Sequence, residues 1–510
     1  MDTAKIFGIL LFVAIIGLTL YVTYLASKKT SGTDDFYAAG RSLTGFQNGL
    51  AISGDYLSAA SFLGIAGLVA LYGYDGFMYS IGWLMGYLII MYVIAEPFRN
   101  SGNFTVADVI SFRLKERPVR TAGSLVTISI TMFYMIAQLV GAGALIHLLV
   151  GIPYEISLIF VGILMMIYVS MGGMLATSWV QMIKAVLLMA LMLVMFFLII
   201  IIFKLDLSKL FGQAISVGGE NFMRPGNLYT NPIDLLSLGI SHILGPAGLS
   251  HLLVRFFTVP DAKEARSSVM WAMMIIGAFY FIIALIGFAA AAIVGPKVIA
   301  QVDAGGNMAA PLLGQVLGGG AGTFGGELFM AVISAVAFAT IVAVVAGLVI
   351  TGAGVFAHDL YTNVIMKGKV DKQKQFKVAK YAALGIGITS ILLGILAKDL
   401  NVAQLVTYAF TIGAAANLPV IIFSIYWKRF NTVGAVSSLL VGSLVTIGLI
   451  FIGPTVMGAN AIFPLTNPGI VSIPLGFLAA VIGSLVTKPE ANDEIFAEMS
   501  VRSHTGIGAE

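Results

Sequence analysis

Residues 46–64 read FQNGLAISGDYLSAASFLG. The run is apolar enough for a membrane, yet Ser53, Gly54 and Asp55 interrupt its middle, and Tyr56, Ser58 and Ser61 follow. A glycine beside an acid in mid-span is costly unless the backbone there lines a polar cavity. A second apolar stretch is interrupted too: residues 241–251 read SHILGPAGLSH. There Pro246 removes a backbone donor and disturbs the turn before it.

The chain around these breaks is built for lipid. Of its 510 residues, 59% are hydrophobic and 10% charged, against roughly 45–50% and about 25% in soluble domains. Its 58 glycines suit close helix packing in a bilayer. The absence of cysteine excludes disulfides, thiolate nucleophiles and cysteine-held metals. The five histidines (His147, His242, His251, His358, His504) lie far apart, and no HExxH, Walker A or GxSxG motif occurs. No catalytic constellation is present, so an enzyme is the least supported class. No organic cofactor and no His- or Cys-held metal is implied. The net charge of +4 is no nucleic-acid signal, because the basic residues cluster beside the apolar segments.

Thirteen apolar segments are read from the pattern, at 6–26, 46–72, 76–96, 119–149, 154–173, 177–203, 234–257, 268–295, 327–356, 377–397, 400–426, 432–453 and 468–487. Each is long enough for a hydrocarbon core of roughly 30 Å, and lipid forces each to be a helix. The first is longer than a signal-peptide core and is read as a retained span. With the N-terminus outside, 21 of the 28 Lys and Arg fall in inside loops, Arg255 among them. Six fall outside, and Lys184 lies within segment 6. That asymmetry predicts a multi-pass cell-membrane protein with N-terminus out and C-terminus in. Residues 1–487 read as one transmembrane domain and 488–510 as a polar, weakly ordered cytoplasmic tail. The inside loop 97–118 carries an amphipathic stretch, Thr105 to Glu116, expected to lie on the membrane surface.

The two breaks lie in segments 2 and 7, five apart. An odd offset makes the two segments run in opposite directions. That predicts an inverted repeat of segments 2–6 and 7–11, with the binding site at the paired interruptions.

Several longer motifs resemble the sodium:solute symporter family. They are Gly172-Gly173 through Ser178, Trp179 and Gln181; Tyr426-Trp427-Lys428-Arg429 followed by Gly434-Ala435; His358-Asp359-Leu360-Tyr361; and, more weakly, Thr105, Asp108 and Arg113. Residues 53–66, 335–347 and 502–506 resemble the cation/acetate symporter branch of that family. The resemblance covers essentially the whole chain. It implies an all-α, LeuT-type 5+5 inverted-repeat fold and uptake of a short monocarboxylate with a cation.

Carried over residue by residue, the resemblance puts a cation site at Gly54, Asp55 and Leu57 in segment 2 and at Thr340, Ala343 and Val344 in segment 9. Much of the family has adjacent hydroxyl residues where Ala343 and Val344 stand, and an aspartate where Gln181 stands. The coupling ion is therefore Na+ or H+. Asp55 can ligate a cation, carry a proton or cap a half-helix. Lys184, three residues after Gln181, can carry a proton, stand in for a bound cation, pair with Asp55 or snorkel to the inner surface. Substrate candidates are Tyr56, Ser58, Ser61, Gln138, Gly245, His251 and Thr411; His242 flanks the second break, and Tyr134 in segment 4 and Asn417 in segment 11 are further polar candidates.

The reading is a cation-coupled symporter importing acetate or a similar short monocarboxylate, with membrane lipid as surroundings and no nucleic-acid partner. The alternatives are a symporter for another small solute on the same fold, or a membrane sensor. A sensor is poorly served by a tail too short for a kinase domain. The sequence does not give an oligomeric state.

Overall fold

The computed structural model describes residues 3–27, 38–102, 105–169, 174–490 and 493–509. The Gly172-Gly173 half of one motif and the inside-loop Lys28 and Lys29 lie outside them. Helices account for every expected segment, and no strand occurs among the described residues. In chain order they are α1 (Thr3–Ser27), α2 (Gly45–Tyr56), α3 (Ala60–Tyr72), α4 (Tyr74–Ser101), α5 (Val106–Ser111), α6 (Glu116–Val150) and α7 (Tyr154–Val169). Then come α8 (Met174–Ile202), α9 (Leu207–Gly218), α10 (Pro232–Leu244), α11 (Ser250–Leu253), α12 (Ala262–Ile293), α13 (Pro296–Val302) and α14 (Ala309–Leu317). The chain continues through α15 (Phe324–Ile365), α16 (Lys372–Leu396), α17 (Val402–Tyr426), α18 (Thr432–Phe451), α19 (Gly469–Val486) and α20 (Asp493–Thr505).

Nine of these helices are by themselves long and apolar enough to cross a membrane among the described residues. The pair α2 and α3 makes a tenth span, bent by 62°. The shorter apolar helices fall in α1, α7 and α10.

Burial separates the centre from the rim. The most apolar windows of α17 and α15 are 94% and 83% buried in protein, whereas that of α16 is 22% buried and faces lipid. The broken pair α2–α3 packs against α12, and α2 also lies on α8. Helix α6 runs between α15 and α17.

Local chemistry sets the ends of these helices. Thr44 and Gln47 form a capping box at the start of α2, and Asn401 caps α17. Such caps satisfy backbone donors that lipid cannot. Four helical stretches relax into π-turns, at Ala60–Gly64, Ile90–Ile94, Phe356–Ile365 and Gly413–Asn417.

Two sequence expectations need correction. The apolar face of the stretch from Thr105 to Glu116 packs on protein rather than on lipid. Val106, Ala107, Val109 and Ile110 are buried against protein, and the Arg113 guanidinium donates to the carbonyls of Ser424, Trp427, Lys428 and Phe430 at the end of α17. Four carbonyls freed by a helix terminus are a better partner for this cation than water. The tail is not weakly ordered either. Helix α20 buries Met499 completely, and its Arg502 donates to the carbonyl of Asn100 while Asn100 donates to that of Ser503.

Candidate functional site

Each of the two sequence breaks becomes a short non-helical link, Leu57–Ser58 in the first and Leu249 in the second. Leu57 (φ −74°, ψ 80°) parts α2 from α3. Leu249 (φ −85°, ψ 105°) parts the short turn Pro246–Gly248 from α11. Two glycines let backbone meet backbone here. A Cβ on Gly54 would overlap the carbonyl of Gln181 on α8, and a Cβ on Gly248 would overlap that of Gly413 in the π-turn of α17.

Asp55 is 4% exposed and fully engaged. Its Oδ2 accepts from Arg255 Nε, and its Oδ1 accepts from Gln181 Nε2 at 2.6 Å. Arg255, just after α11, is 1% exposed and also donates to Ser178 Oγ at 2.5 Å. Asn48 on α2 donates to the Arg255 carbonyl at 3.0 Å and so fixes the turn that carries it. Arg255 therefore joins the first broken pair to the second. In the sequence it was counted as an inside-loop charge, because it stands at the inner end of its segment.

Lys184 neither snorkels nor pairs with Asp55. It is 4% exposed; its Nζ donates to the Gly54 carbonyl and to Gln181 Oε1, the latter at 3.0 Å. Gln181 Nε2 also reaches the Ala343 carbonyl at 3.0 Å. Of the side-chain oxygens that the family pattern assigns to a cation, only Thr340 Oγ1 is without a partner among the described residues. Val344 is buried beside it with no side-chain oxygen to offer.

A sodium ion needs several oxygens at once. Here both Asp55 oxygens and the carbonyls of Gly54 and Ala343 already accept from nitrogen. Arg255 and Lys184 also outweigh the one carboxylate. At an effective dielectric near 20, an ammonium about 4 Å away repels a second cation by about 4 kcal/mol. The residues present do not fit Na+ at this break.

Beside the ionic cluster lies a group of aromatic rings. Tyr56 contacts Trp83, Tyr87, Tyr280 and Phe410, and Tyr134 contacts Phe410 and His251. The Tyr56 hydroxyl donates to the Trp83 carbonyl at 3.0 Å, so Tyr56 serves as wall rather than donor. Ser61 bonds the Tyr56 carbonyl and Tyr280, and Ser58 accepts weakly from Tyr134 at 3.4 Å. Gln138 Oε1 accepts from the Ala59 amide, which leaves its Nε2 pointing elsewhere.

Trp83 Nε1, Tyr87 OH, Gln138 Nε2 and His251 Nε2 are all buried and without a partner among the described residues. Each such group costs about 1–3 kcal/mol if nothing satisfies it. Trp83, Tyr87 and His251 belong to this set of rings and Gln138 stands one turn from Tyr134 on α6, so these unpartnered donors could hold a ligand.

Not every candidate belongs here. Thr411 bonds the Thr407 carbonyl and weakly Asn467, away from the rings named above. Gly245 packs against Phe410, where a Cβ would overlap that side chain, and its carbonyl is taken by the Gly248 amide, so it shapes the rings' surroundings without offering a free polar group. His242 does border the rings, against Trp83 and Phe410; its Nε2 is engaged with Thr407 at 2.8 Å and its Nδ1 is buried without a partner among the described residues. Trp83 and Tyr87 were missed in the sequence, although their spacing of four, one turn on from Tyr79, places them on one helix face.

A cavity on the side of α5 is lined by Thr105, Ile110, Thr127, Thr351 and Asp359 and extends to Ser250 and Asn417 at the second break. Arg120 bonds Asp359, which lines this cavity, together with Asp108 at 3.0 Å and Glu116 at 2.8 Å.

A model of the sodium:solute symporter family matches residues 36–442. An uncharacterized symporter, YwcA, of Bacillus subtilis is 52% identical over 98% of both chains. A monocarboxylic acid transporter of Corynebacterium glutamicum is 47% identical over 99% of this chain and 96% of its own. Among solved structures, a Na+-coupled sialic acid symporter in a substrate-bound outward-open state has a TM-score of 0.74 at 17% identity, covering 95% of this chain and 99% of its own. A nucleobase-cation-symport-1 transporter in a closed conformation scores 0.53 at 14% identity, covering 93% and 100%. These two likenesses are of fold, and the fold is the LeuT type.

Proposed function

The chain belongs to the sodium:solute symporter family, and from that premise we propose that it imports acetate or a similar short monocarboxylate together with a cation. The observation that carries this is the chemistry of the unpartnered groups. Trp83 Nε1 and Gln138 Nε2 can only donate, and Tyr87 and His251 can donate as well. A ligand that satisfies four donors is an acceptor, and a carboxylate offers two oxygens and no donor. The faces of Tyr56 and Phe410 supply the apolar wall that a methyl or ethyl group needs. An amino-acid substrate would add an ammonium, and Asp55, the carboxylate beside these rings, is already held by Arg255. The name of the Corynebacterium glutamicum relative supports the same substrate class.

In this reading Trp83, Tyr87, Gln138 and His251 hold the carboxylate, while Tyr56, Ser58 and Ser61 shape the α2–α3 side of the site. Asp55 and Arg255 hold the two broken pairs in register, and the repeats are segments 2–6 and 7–11 within residues 1–487. Radiolabelled acetate uptake into proteoliposomes, with Na+ and H+ gradients imposed separately, tests the proposal. Uptake should saturate, exceed that of protein-free vesicles and be displaced by propionate. The buffer must lie well above the acid's pKa, because the protonated acid crosses bilayers unaided. Saturable uptake of an uncharged solute with no response to acetate would replace the substrate class and keep the family.

A further inference from the structure

We infer that the Lys184 ammonium is a built-in cation at the α2–α3 break, standing where the family pattern places sodium and excluding Na+ from that position. The inference deepens the symport reading and rests on it only for what a cation does in transport.

The geometry is that of an ion held by oxygen dipoles. Lys184 Nζ meets the Gly54 carbonyl, exposed by the break, and the amide oxygen of Gln181. Among the described residues it has no carboxylate of its own, since Asp55 is taken by Arg255 and Gln181. Gln181 works as a jig. Its amide nitrogen ties Asp55 on α2 to the Ala343 carbonyl on α15, and its amide oxygen turns toward Lys184. An aspartate at position 181 would offer no donor to Asp55 or Ala343 and would set a second negative charge beside the first.

Gly54 completes the fit, because only a residue without Cβ lets α8 come close enough for Lys184 to reach the carbonyl. The helix contacts that a bound Na+ would make between α2, α8 and α15 are thus made by Gln181 and Lys184. The break is held closed without a free ion.

The test is made on the purified full-length protein without any monocarboxylate. Thermal unfolding and tryptophan fluorescence are compared in sodium and choline chloride at equal ionic strength. A ligand that binds the native state stabilises it by RT ln(1 + L/Kd), L being its free concentration, and so raises its unfolding temperature. The wild type should respond identically to the two salts. Lys184→Ala should gain a sodium-specific shift, equivalent to sodium binding at least about tenfold tighter than in the wild type. Lys184→Met, which keeps the side-chain length and loses the charge, serves if the alanine variant does not fold.

A sodium-specific shift in the wild type that Thr340→Val removes would overturn the inference. So would a folded Lys184 variant that gains no sodium response. Because no carboxylate is present, these outcomes are independent of acetate uptake, whose failure bears on the substrate class instead.

Discussion

Replacing Trp83 with Phe removes one N–H and keeps the ring packed against Tyr56 and Phe410. A hydrogen bond to a charged acceptor is worth about 1.5–3 kcal/mol, so the acetate KM should rise about 10–100-fold with little change in maximal rate. An unchanged KM would move the carboxylate elsewhere. Asp55 makes a sharper case. Asp55→Asn leaves Arg255 buried and unpaired, a loss of about 3–5 kcal/mol, so this variant should fold poorly as well as fail to transport. Asp55→Asn with Arg255→Gln should regain thermal stability without regaining coupled uptake, which separates the structural share of Asp55 from the transport share. If the double variant transports at the wild-type rate, the pair is structural only. The sequence located Asp55 because an acid in an apolar run is conspicuous. It did not locate Arg255, because a cation at a segment end looks the same whether it faces water or turns inward.

At the level of elements, the second break is held by contact rather than by charge. The Pro246–Gly248 turn rests on the π-turn of α17, and Asn417 on that turn donates to the Gly248 carbonyl at 2.8 Å. Gly248→Ala sets a Cβ against backbone that cannot rotate away, so it should impair acetate binding far more than Gly239→Ala, whose Cβ would meet open space, scored by counterflow. Breaks of this kind were legible because Gly and Pro disrupt a hydrophobic run. The π-turns were not, since an extra residue in a turn leaves no mark in residue type. The stripe of Phe496, Met499, Ser500 and Ser503 on α20 was legible in principle, but the polar residues around it masked its helical period. The loop between α13 and α14 gives a pH test. Burial pushes the Asp303 carboxyl up to about 6, against the hydrogen bond from the Asn307 amide, which favours the charged form. Its folded value lies above its unfolded one, so its contribution is full below about pH 4 and is lost as pH rises through about 6. Asp303→Asn should stabilise the protein by about 1–3 kcal/mol near pH 8 and by about half as much near pH 5. Equal shifts at both values would place that carboxylate in water.

For the molecule as a whole, the charge asymmetry predicts that α5, α20 and the Arg120 cluster share the cytoplasmic side. A reporter fused after residue 510 should be active only in the cytoplasm, and periplasmic activity would mean a span wrongly counted. On that side the carbonyl of Ser503 accepts from Asn100, 403 residues earlier in the chain. At a synthesis rate of about 5–20 residues per second, Asn100 leaves the ribosome roughly 20–80 s before its partner exists. Throughout that interval Phe112, which receives Arg502, and Arg113, which lies under Phe496, are uncovered. Until α20 is made, the nascent chain carries this surface without the contacts that later cover it.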